Sequence, residues 1–313
     1  MFFFSYSEFL LFARIAVSIV LEAAPFLLIG SFLSVVVERY ATAERLARWV
    51  PSRRPAQIAA GLFGGMALPI CECGVVPVAR RLIEKGVPPR TVLTYMLAAP
   101  VINPVVLIST YVAFGDSIAM VLCRAAVVGV TAAAVGGLLG RGDPIALLNS
   151  HLLPAGCLSP EPCAHPGHHH DDTGPGWSGR WLVLDLLRRS AAEFMGMGKY
   201  LIAGALAAAA FKVFLPWQAI QLFAGNLAVS VALLMALAVL LSVCSEADAF
   251  VAASFVYFPR AAQLAFISIG PMVDLKLIGM YFFTFKKRPA FILVALPAAS
   301  VYLLSILIAP VLR

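Results

Sequence analysis

The sequence predicts an all-α polytopic membrane protein made of two inverted repeats. Three observations support this prediction: the apolar composition, the length of the apolar stretches, and a set of residues that recurs in the second half. Of the 313 residues, 61% are hydrophobic and 12% are charged. A soluble chain is typically about half apolar and about a quarter charged, so the composition excludes an ordinary soluble domain.

Six apolar stretches are long enough to cross a bilayer, whose hydrocarbon core is about 30 Å thick and takes about 20 helical residues. They are residues 8–37, 91–114, 117–139, 190–211, 261–285 and 289–312. Shorter apolar pieces flank Cys71 and Cys244, and they predict two broken-helix hairpins in addition to the six full spans. An alternative count of eight spans applies if both broken units cross completely.

The positive-inside rule favours the hairpins. With two hairpins, the main basic clusters fall on one side of the membrane, assigned to the cytoplasm, and the amino terminus lies outside. These clusters lie within residues 39–54, 80–90, 141–189 and 286–288. The same reasoning divides the chain into a first transmembrane repeat at 1–140, a cytoplasmic Cys/His-rich flexible loop at 141–189, and a second transmembrane repeat at 190–313.

Three features recur in the same order in both halves, at closely similar spacing. They are an acidic residue, a cysteine, and a polar side chain three residues after a proline: Glu22, Cys71 and Asn103 in the first half, and Glu193, Cys244 and Asp274 in the second. Because each half holds an odd number of full spans, the halves are expected to be inverted. Inverted repeats with broken helices are a common plan of secondary transporters.

The cysteines at the two breaks are predicted to face one buried site, because non-helical backbone at membrane depth needs protein or a wet cavity around it. Soft thiolates suit Cu(I) and Zn(II), and trivalent arsenic is also thiophilic. Ionisable groups inside a membrane are costly and usually functional. The predicted substrate-binding residues are Cys71, Glu72, Cys73, Cys244, Glu246, Asp248, Asn103 and Asp274, and the predicted coupling residues are Glu22 and Glu193.

Each of these assignments has a structural alternative. A buried cysteine is often a small apolar filler. Glu22 and Glu193 could pair with Arg14 or Lys199 between helices, and the polar residues after the two prolines could satisfy backbone groups freed by the breaks.

The residues around the breaks carry a family resemblance. Residues 67–81 read ALPICECGVVPVARR, residues 98–104 read AAPVINP, residues 22–25 read EAAP, and residues 244–250 read CSEADAF. These strings resemble the predicted permeases of the ArsP and YraQ type, over nearly the whole chain outside the central loop. The resemblance implies a multi-pass permease of the bacterial inner membrane. Some members of that family export trivalent organoarsenicals, and relatives are linked to copper or zinc efflux.

The central loop holds all five histidines of the chain. Proline, glycine and aspartate dominate the remainder, which predicts no packed core. The spacing matches no closed zinc module, so a flexible segment that collects Zn or Cu is the expectation, with a solvated linker as the alternative. No other cofactor is expected. The predicted metal-binding residues there are Cys157, Cys163, His165, His168, His169 and His170.

Together these features predict a secondary-active permease that exports a thiophilic metal or metalloid species, such as a trivalent arsenical, Cu or Zn, through a midplane cysteine and carboxylate site. No nucleotide-binding motif is present in the sequence, so neither an ATP-driven pump nor an enzyme is expected. The alternative is a membrane-embedded thiol redox or scaffold protein that works with a partner and transports nothing. Membrane lipid is an expected contact and nucleic acid is not, while an accessory protein and a homo-oligomer remain open.

Overall fold

The computed structural model describes residues 6–40, 53–67, 70–142, 147–149, 179–214 and 225–312. Within these ranges the regular structure is helical, and the only β-type pairing is an isolated bridge between Leu148 and Phe285. The predicted all-α class is therefore confirmed.

The described helices of the first half are α1 (Tyr6–Tyr40), α2 (Arg54–Ala67), α3 (Glu72–Glu84), α4 (Pro89–Ala98), α5 (Pro104–Ala113) and α6 (Ile118–Leu139). Those of the second half are α7 (Gly179–Phe214), α8 (Leu227–Leu241), α9 (Asp248–Ala253), α10 (Arg260–Ile269), α11 (Leu275–Thr284) and α12 (Lys287–Ile308), followed by a 3₁₀ turn over Ala309–Leu312. Helix α7 begins before residue 190, where the second repeat was expected to start.

Helix lengths follow a similar order in the two halves, except that α3 has 13 residues and α9 has 6. The first helix has 35 residues in one half and 36 in the other, α4, α5, α10 and α11 have 10 each, and the last has 22 in both. Packing follows the same order: α4 contacts α2 and α6 as α10 contacts α8 and α12. The halves also exchange contacts reciprocally, because α3 packs on α11 and α5 packs on α9.

Two of the expected full spans are each divided into two helices, which corrects the prediction of continuous spans at 91–114 and 261–285. The first is α4 and α5, and the second is α10 and α11. The Asn103 side chain accepts a hydrogen bond from Val105 N at 3.0 Å, and Asp274 Oδ1 accepts one from Leu277 N at 2.7 Å. Each polar residue therefore starts a new helix as its N-cap. A helix of 10 residues is about 15 Å long, too short to cross alone.

Several described helices are apolar enough to lie in a membrane. By length and composition, three candidate spans occur in the described ranges: Phe9–Leu33, Ile118–Leu139 and Lys287–Leu312. Four further apolar helices are shorter: Pro104–Ala113, Leu227–Leu241, Arg260–Ile269 and Leu275–Thr284. The chain is thus a multi-pass membrane protein, and the number of its complete crossings remains a prediction.

Burial separates a central set of helices from a peripheral set. Residues 92–98 of α4 and 261–269 of α10 are all buried, whereas α6 and α12 expose large apolar side chains such as Leu122 and Leu307. Exposed apolar faces on long helices are what a lipid-facing surface requires. The short helices α4 and α10 therefore lie in the interior, and the long helices α6 and α12 lie at the periphery.

Helix α3 is positioned by a close crossing with α1. A Cβ atom added at Gly30 would lie 2.4 Å from Gly74 Cα and 2.7 Å from Gly74 O. Real Cβ atoms do not approach backbone this closely, so position 30 needs glycine for the two helices to meet. This contact holds the first turn of α3, where Cys71, Glu72 and Cys73 lie, against the interior.

We expect Gly30→Ala to lower the thermal unfolding midpoint of the detergent-purified protein. The added methyl group must push α1 from α3, and such overpacking typically costs about 1–3 kcal/mol. The matched control is Gly137→Ala in α6, where an added Cβ meets no atom within 4 Å. Equal midpoints for the two variants would show that the crossing is not tight in solution.

Candidate functional site

The two cysteine-bearing breaks meet in the interior. Glu72, the first residue of α3, is 1% exposed. The Cys244 thiol donates to Glu72 Oε1 at 3.4 Å, and the Ser245 hydroxyl donates to Glu72 Oε2 at 3.2 Å. Both donors belong to the segment between α8 and α9, so a carboxylate of the first half is held by polar groups of the second.

The start of α11 adds the other charged groups. Lys276 is 1% exposed, and its Nζ lies 3.7 Å from Glu72 Oε1 and 3.3 Å from Asp274 Oδ2. Asp274 Oδ1 is the N-cap acceptor already described, which fixes the carboxyl group beside the lysine. We call this group the Glu72 cluster; its members are Glu72, Cys244, Ser245, Asp274 and Lys276.

The Glu72 cluster holds two carboxylates and one ammonium group, a formal charge of one negative unit when all three are ionised. Burying an uncompensated charge is expensive. Part of that cost is offset because Glu72 begins α3 and Asp274 caps α11, and helix N-termini favour negative charge. The Cys244 and Ser245 donors add neutral hydrogen bonds. The remaining imbalance suits a site that takes up positive charge.

A second buried ion pair joins the halves nearby. Arg124 on α6 and Asp248 at the start of α9 are 0% and 1% exposed, and Arg124 Nη2 lies 2.6 Å from Asp248 Oδ2. Arg124 Nη1 also donates to the Thr110 hydroxyl on α5, which in turn donates to Val106 O. Asp248, predicted to bind substrate, is thus held by a structural partner in this conformation.

The described cysteines are all free thiols. Cys71, Cys73 and Cys244 are buried and Cys123 is half-buried. Cys71 precedes α3 as its N-cap residue, but its side chain makes no capping hydrogen bond. Among the described residues, no group of three or more His, Cys, Asp or Glu side chains is arranged to hold a metal ion. In this conformation, therefore, the thiols lie around an ion-paired carboxylate and do not form a ready metal cage.

The remaining predicted residues are distributed differently. Glu246 is half-buried beside the cluster, Asn103 is buried as a helix cap, and Glu22 lies exposed on α1. Glu193 lies on α7, but its side chain is outside the described part of the structure. The six predicted metal ligands of the central loop also lie outside the described residues: Cys157, Cys163, His165, His168, His169 and His170. Their assignments stay predictions.

Sequence reasoning missed Lys276, Arg124 and Ser245. The sequence did contain a signal for Lys276 and Arg124, which is an isolated charge in an apolar stretch. Arg124 is the single charged residue of α6, and the only other charged residue in 261–285 besides Lys276 is Asp274. An isolated charge in an apolar span needs a buried partner. Ser245 carried no such signal, because serine is common in apolar helices and breaks.

Apolar helices around a buried polar cluster are the architecture of a membrane permease. Residues 8–152 and 167–309 match the family model ArsP_1, described as a predicted permease. The chain therefore belongs to this predicted permease family, which confirms the resemblance seen in its sequence. The family is one of transporters rather than enzymes.

Two relatives are similar over most of their length. The UPF0718 protein YcgR of Bacillus subtilis is 38% identical over 292 residues, which cover 92% of this chain and 93% of that protein. A Streptococcus mutans protein, whose name gives it as a candidate subunit of a two-component membrane permease complex, is 34% identical over 275 residues, 88% of this chain and 87% of that protein. No solved structure gives a significant match.

We expect Arg124→Met to destabilise the protein by about 3–5 kcal/mol, because it leaves the Asp248 carboxylate buried without its partner. The double variant Arg124→Met, Asp248→Asn should recover most of this loss, because it buries no unpaired charge. Denaturant titration of the purified protein measures both. Arg260→Met, at an exposed arginine, is the control. If the single variant is as stable as the double variant, the pair does not hold the halves together.

Proposed function

We propose that this protein is a secondary-active permease that exports a thiophilic metal or metalloid species through the Glu72 cluster and its neighbouring cysteines. One observation carries the proposal: two cysteine-bearing helix breaks, one from each half, meet at a buried carboxylate in a chain of the predicted permease family. Transporters commonly bind cargo where broken helices of two repeats face each other. A trivalent arsenical, Cu and Zn are the cargo candidates.

The two halves are proposed to be inverted repeats. The support is the shared order of helix lengths, the equivalent packing of α4 and α10, and the reciprocal contacts of α3 with α11 and α5 with α9. The buried ion pairs between the halves show a related arrangement. An acidic residue at the start of a short helix in each half faces a buried cation of the other half: Glu72 faces Lys276, and Asp248 faces Arg124. Such symmetry suits alternating access about a central site.

Cargo contact is assigned to the buried thiols and to Glu72, with Asp274 and Glu246 as further carboxylates. Thiols favour soft ions and trivalent arsenic over hard ions such as Mg²⁺. Asn103 and Asp248 support the site by holding helix starts, since Asn103 caps α5 and Asp248 is paired with Arg124. Glu22 and Glu193 are proposed to couple transport to protons or to the membrane potential.

The proposal also covers the membrane, the central Cys/His segment and the partner of this protein. The protein is placed in the bacterial inner membrane, and the central Cys/His segment, including Cys163 and His165, collects Zn or Cu on the cytoplasmic side. An accessory subunit is proposed because a relative is named for a two-component permease complex. Self-association is the alternative.

The cargo is tested with everted membrane vesicles given Zn(II), Cu(I), arsenite or methylated trivalent arsenic. We expect energised uptake of one species, and we expect the double variant Cys71→Ser, Cys244→Ser to abolish it by removing two of the three buried soft ligands. Cys123→Ser is the matched control, because Cys123 is a half-buried thiol of α6 outside the cluster. Accumulated metal is measured by elemental analysis.

If Cys123→Ser also abolishes uptake, the loss in the double variant does not show that Cys71 and Cys244 bind the cargo. No uptake of any species by the intact protein would overturn metal export. It would favour the alternative, a thiol redox or scaffold protein that acts with a partner.

The span count is tested by labelling introduced cysteines with a membrane-impermeant maleimide in a background where Cys123, Cys157 and Cys163 are serine, which leaves only the three buried native thiols. Gly142→Cys and Val256→Cys introduce exposed sites before the central loop and after α9. Six spans with two hairpins place them on opposite sides of the membrane, so only Val256→Cys should react in intact cells. Reaction of both on the same side would establish the eight-span count.

A further inference from the structure

Lys276 occupies the position in the Glu72 cluster where a cationic cargo would be expected. Its ammonium group lies between a carboxylate of each half, 3.7 Å from Glu72 Oε1 and 3.3 Å from Asp274 Oδ2. The cysteine motif did not predict that Lys276 lies in this site. Because Lys276 is only 1% exposed, the negative charge of the two carboxylates is balanced by its ammonium group and not by a cation from solvent.

The contacts of Lys276 are looser than those of a structural ion pair. A charge-assisted N–H···O bond is normally about 2.7–2.9 Å long, and the Arg124–Asp248 pair at 2.6 Å is as short as this or shorter. Both Lys276 contacts are longer. Within the described residues, Asp274 Oδ2 is buried and makes no hydrogen bond shorter than its 3.3 Å contact with the Lys276 ammonium group. Asp248 Oδ1 also has no hydrogen-bond partner there, so the difference between the two pairs lies in their distances. Asp274 Oδ2 therefore faces the cluster with capacity for a further ligand.

The backbone that carries Lys276 is fixed, so its side chain is the part that can move. A Cβ atom added at Gly204 of α7 would lie 2.8 Å from Lys276 Cα and 3.0 Å from Lys276 N, which shows how closely α7 packs there. Asp274 caps the start of α11, and Asn149 Nδ2 donates to Phe283 O and Phe285 O at its end, both at 2.8 Å. Four rotatable methylene groups separate this fixed helix from the ammonium charge.

We propose that Lys276 is a built-in competitor of the cargo, and that the cargo is a thiophilic cation rather than a neutral arsenical. The cation binds Glu72, Asp274 and the thiols after displacing the ammonium group, and each thiol that ligates the cation releases its proton to water. The return of the ammonium group then helps to expel the cation on the other side. This inference rests on the proposed function, since it requires the Glu72 cluster to be the cargo site.

A positive charge tethered beside the site would help a transporter to release its cargo. Conduction requires binding that is favourable enough for entry and weak enough for release. Carboxylates and thiols that converge on a soft cation during transport would bind it strongly and slow its release. A positive charge tethered within reach lowers that affinity at every step, and it keeps the empty site closer to neutral during the return movement.

The test is Cd²⁺ binding to the detergent-purified full chain, with Cys123, Cys157 and Cys163 replaced by serine so that only the three buried thiols remain. The ultraviolet thiolate-to-cadmium charge-transfer band reports binding. We expect Lys276→Met to strengthen Cd²⁺ binding about tenfold or more, because the ammonium group no longer competes with Cd²⁺ for the two carboxylates. Lys276→Arg should weaken it, because guanidinium grips carboxylates in a bidentate manner. In vesicles, Lys276→Met should lose turnover despite its tighter binding.

Phenylarsine oxide, a neutral trivalent arsenical that bonds to thiols, is the matched probe. Its affinity should be the same in native protein and in Lys276→Met, because it does not compete for the carboxylates. Equal strengthening of both probes would show that the substitution only opens access to the thiols, and it would overturn the proposal.

Two other outcomes separate this inference from the proposed function. If Cd²⁺ binds but Lys276→Met fails to strengthen it, Lys276 is an ordinary structural ion pair and the permease proposal stands. If Cd²⁺ gives no thiolate band in any variant, the proposed cargo site is wrong and the inference falls with it. Should Lys276→Met not fold, Lys276→Arg still decides, because unchanged or stronger Cd²⁺ binding in that variant contradicts competition.

Discussion

The carboxylate of Glu72 is contacted from three directions inside the protein, and the arrangement of the central helices depends on those contacts. Cys244 and Ser245 reach it from the break before α9, and Lys276 reaches it from α11. All three come from the second half of the chain, while Glu72 belongs to the first. A buried carboxylate without such partners would be too costly to keep. The two halves are thus tied together where their helices are interrupted.

Those interruptions are stabilised by the residues at the helix starts. A helix that stops within a membrane leaves N–H and C=O groups without water. Asn103 and Asp274 satisfy such groups at the starts of α5 and α11. Asp274 has a second use, because its other oxygen faces Lys276 at 3.3 Å. One residue therefore both starts a helix and completes the charged cluster, which links the local backbone to the chemistry of the site.

The two ion pairs that join the halves differ in their N···O distances. Arg124 and Asp248 are close and are joined further to Thr110, as expected of a contact that holds elements in place. Lys276 is held more loosely between two carboxylates, as expected of a group that gives way to a ligand. The two halves are thus joined by one tight pair and one loose pair.

The sequence by itself determined the helical membrane class, the two interrupted units at Cys71 and Cys244, and the family, because composition, apolar length and local motifs are properties of the chain read in order. It also predicted Glu72, Cys244 and Asp274 as site residues, and the structure places the three in one buried cluster. Only the tertiary structure decided which groups meet. The partnership of Lys276 with Glu72 and of Arg124 with Asp248 spans more than a hundred residues of chain, and no local pattern encodes it. The sequence predicted full spans at 91–114 and 261–285 and gave breaks after the two prolines only as an alternative, and the alternative is what the structure shows. The apolar length of these stretches suggested continuous spans, whereas capping at Asn103 and Asp274 and burial among other helices made the breaks favourable.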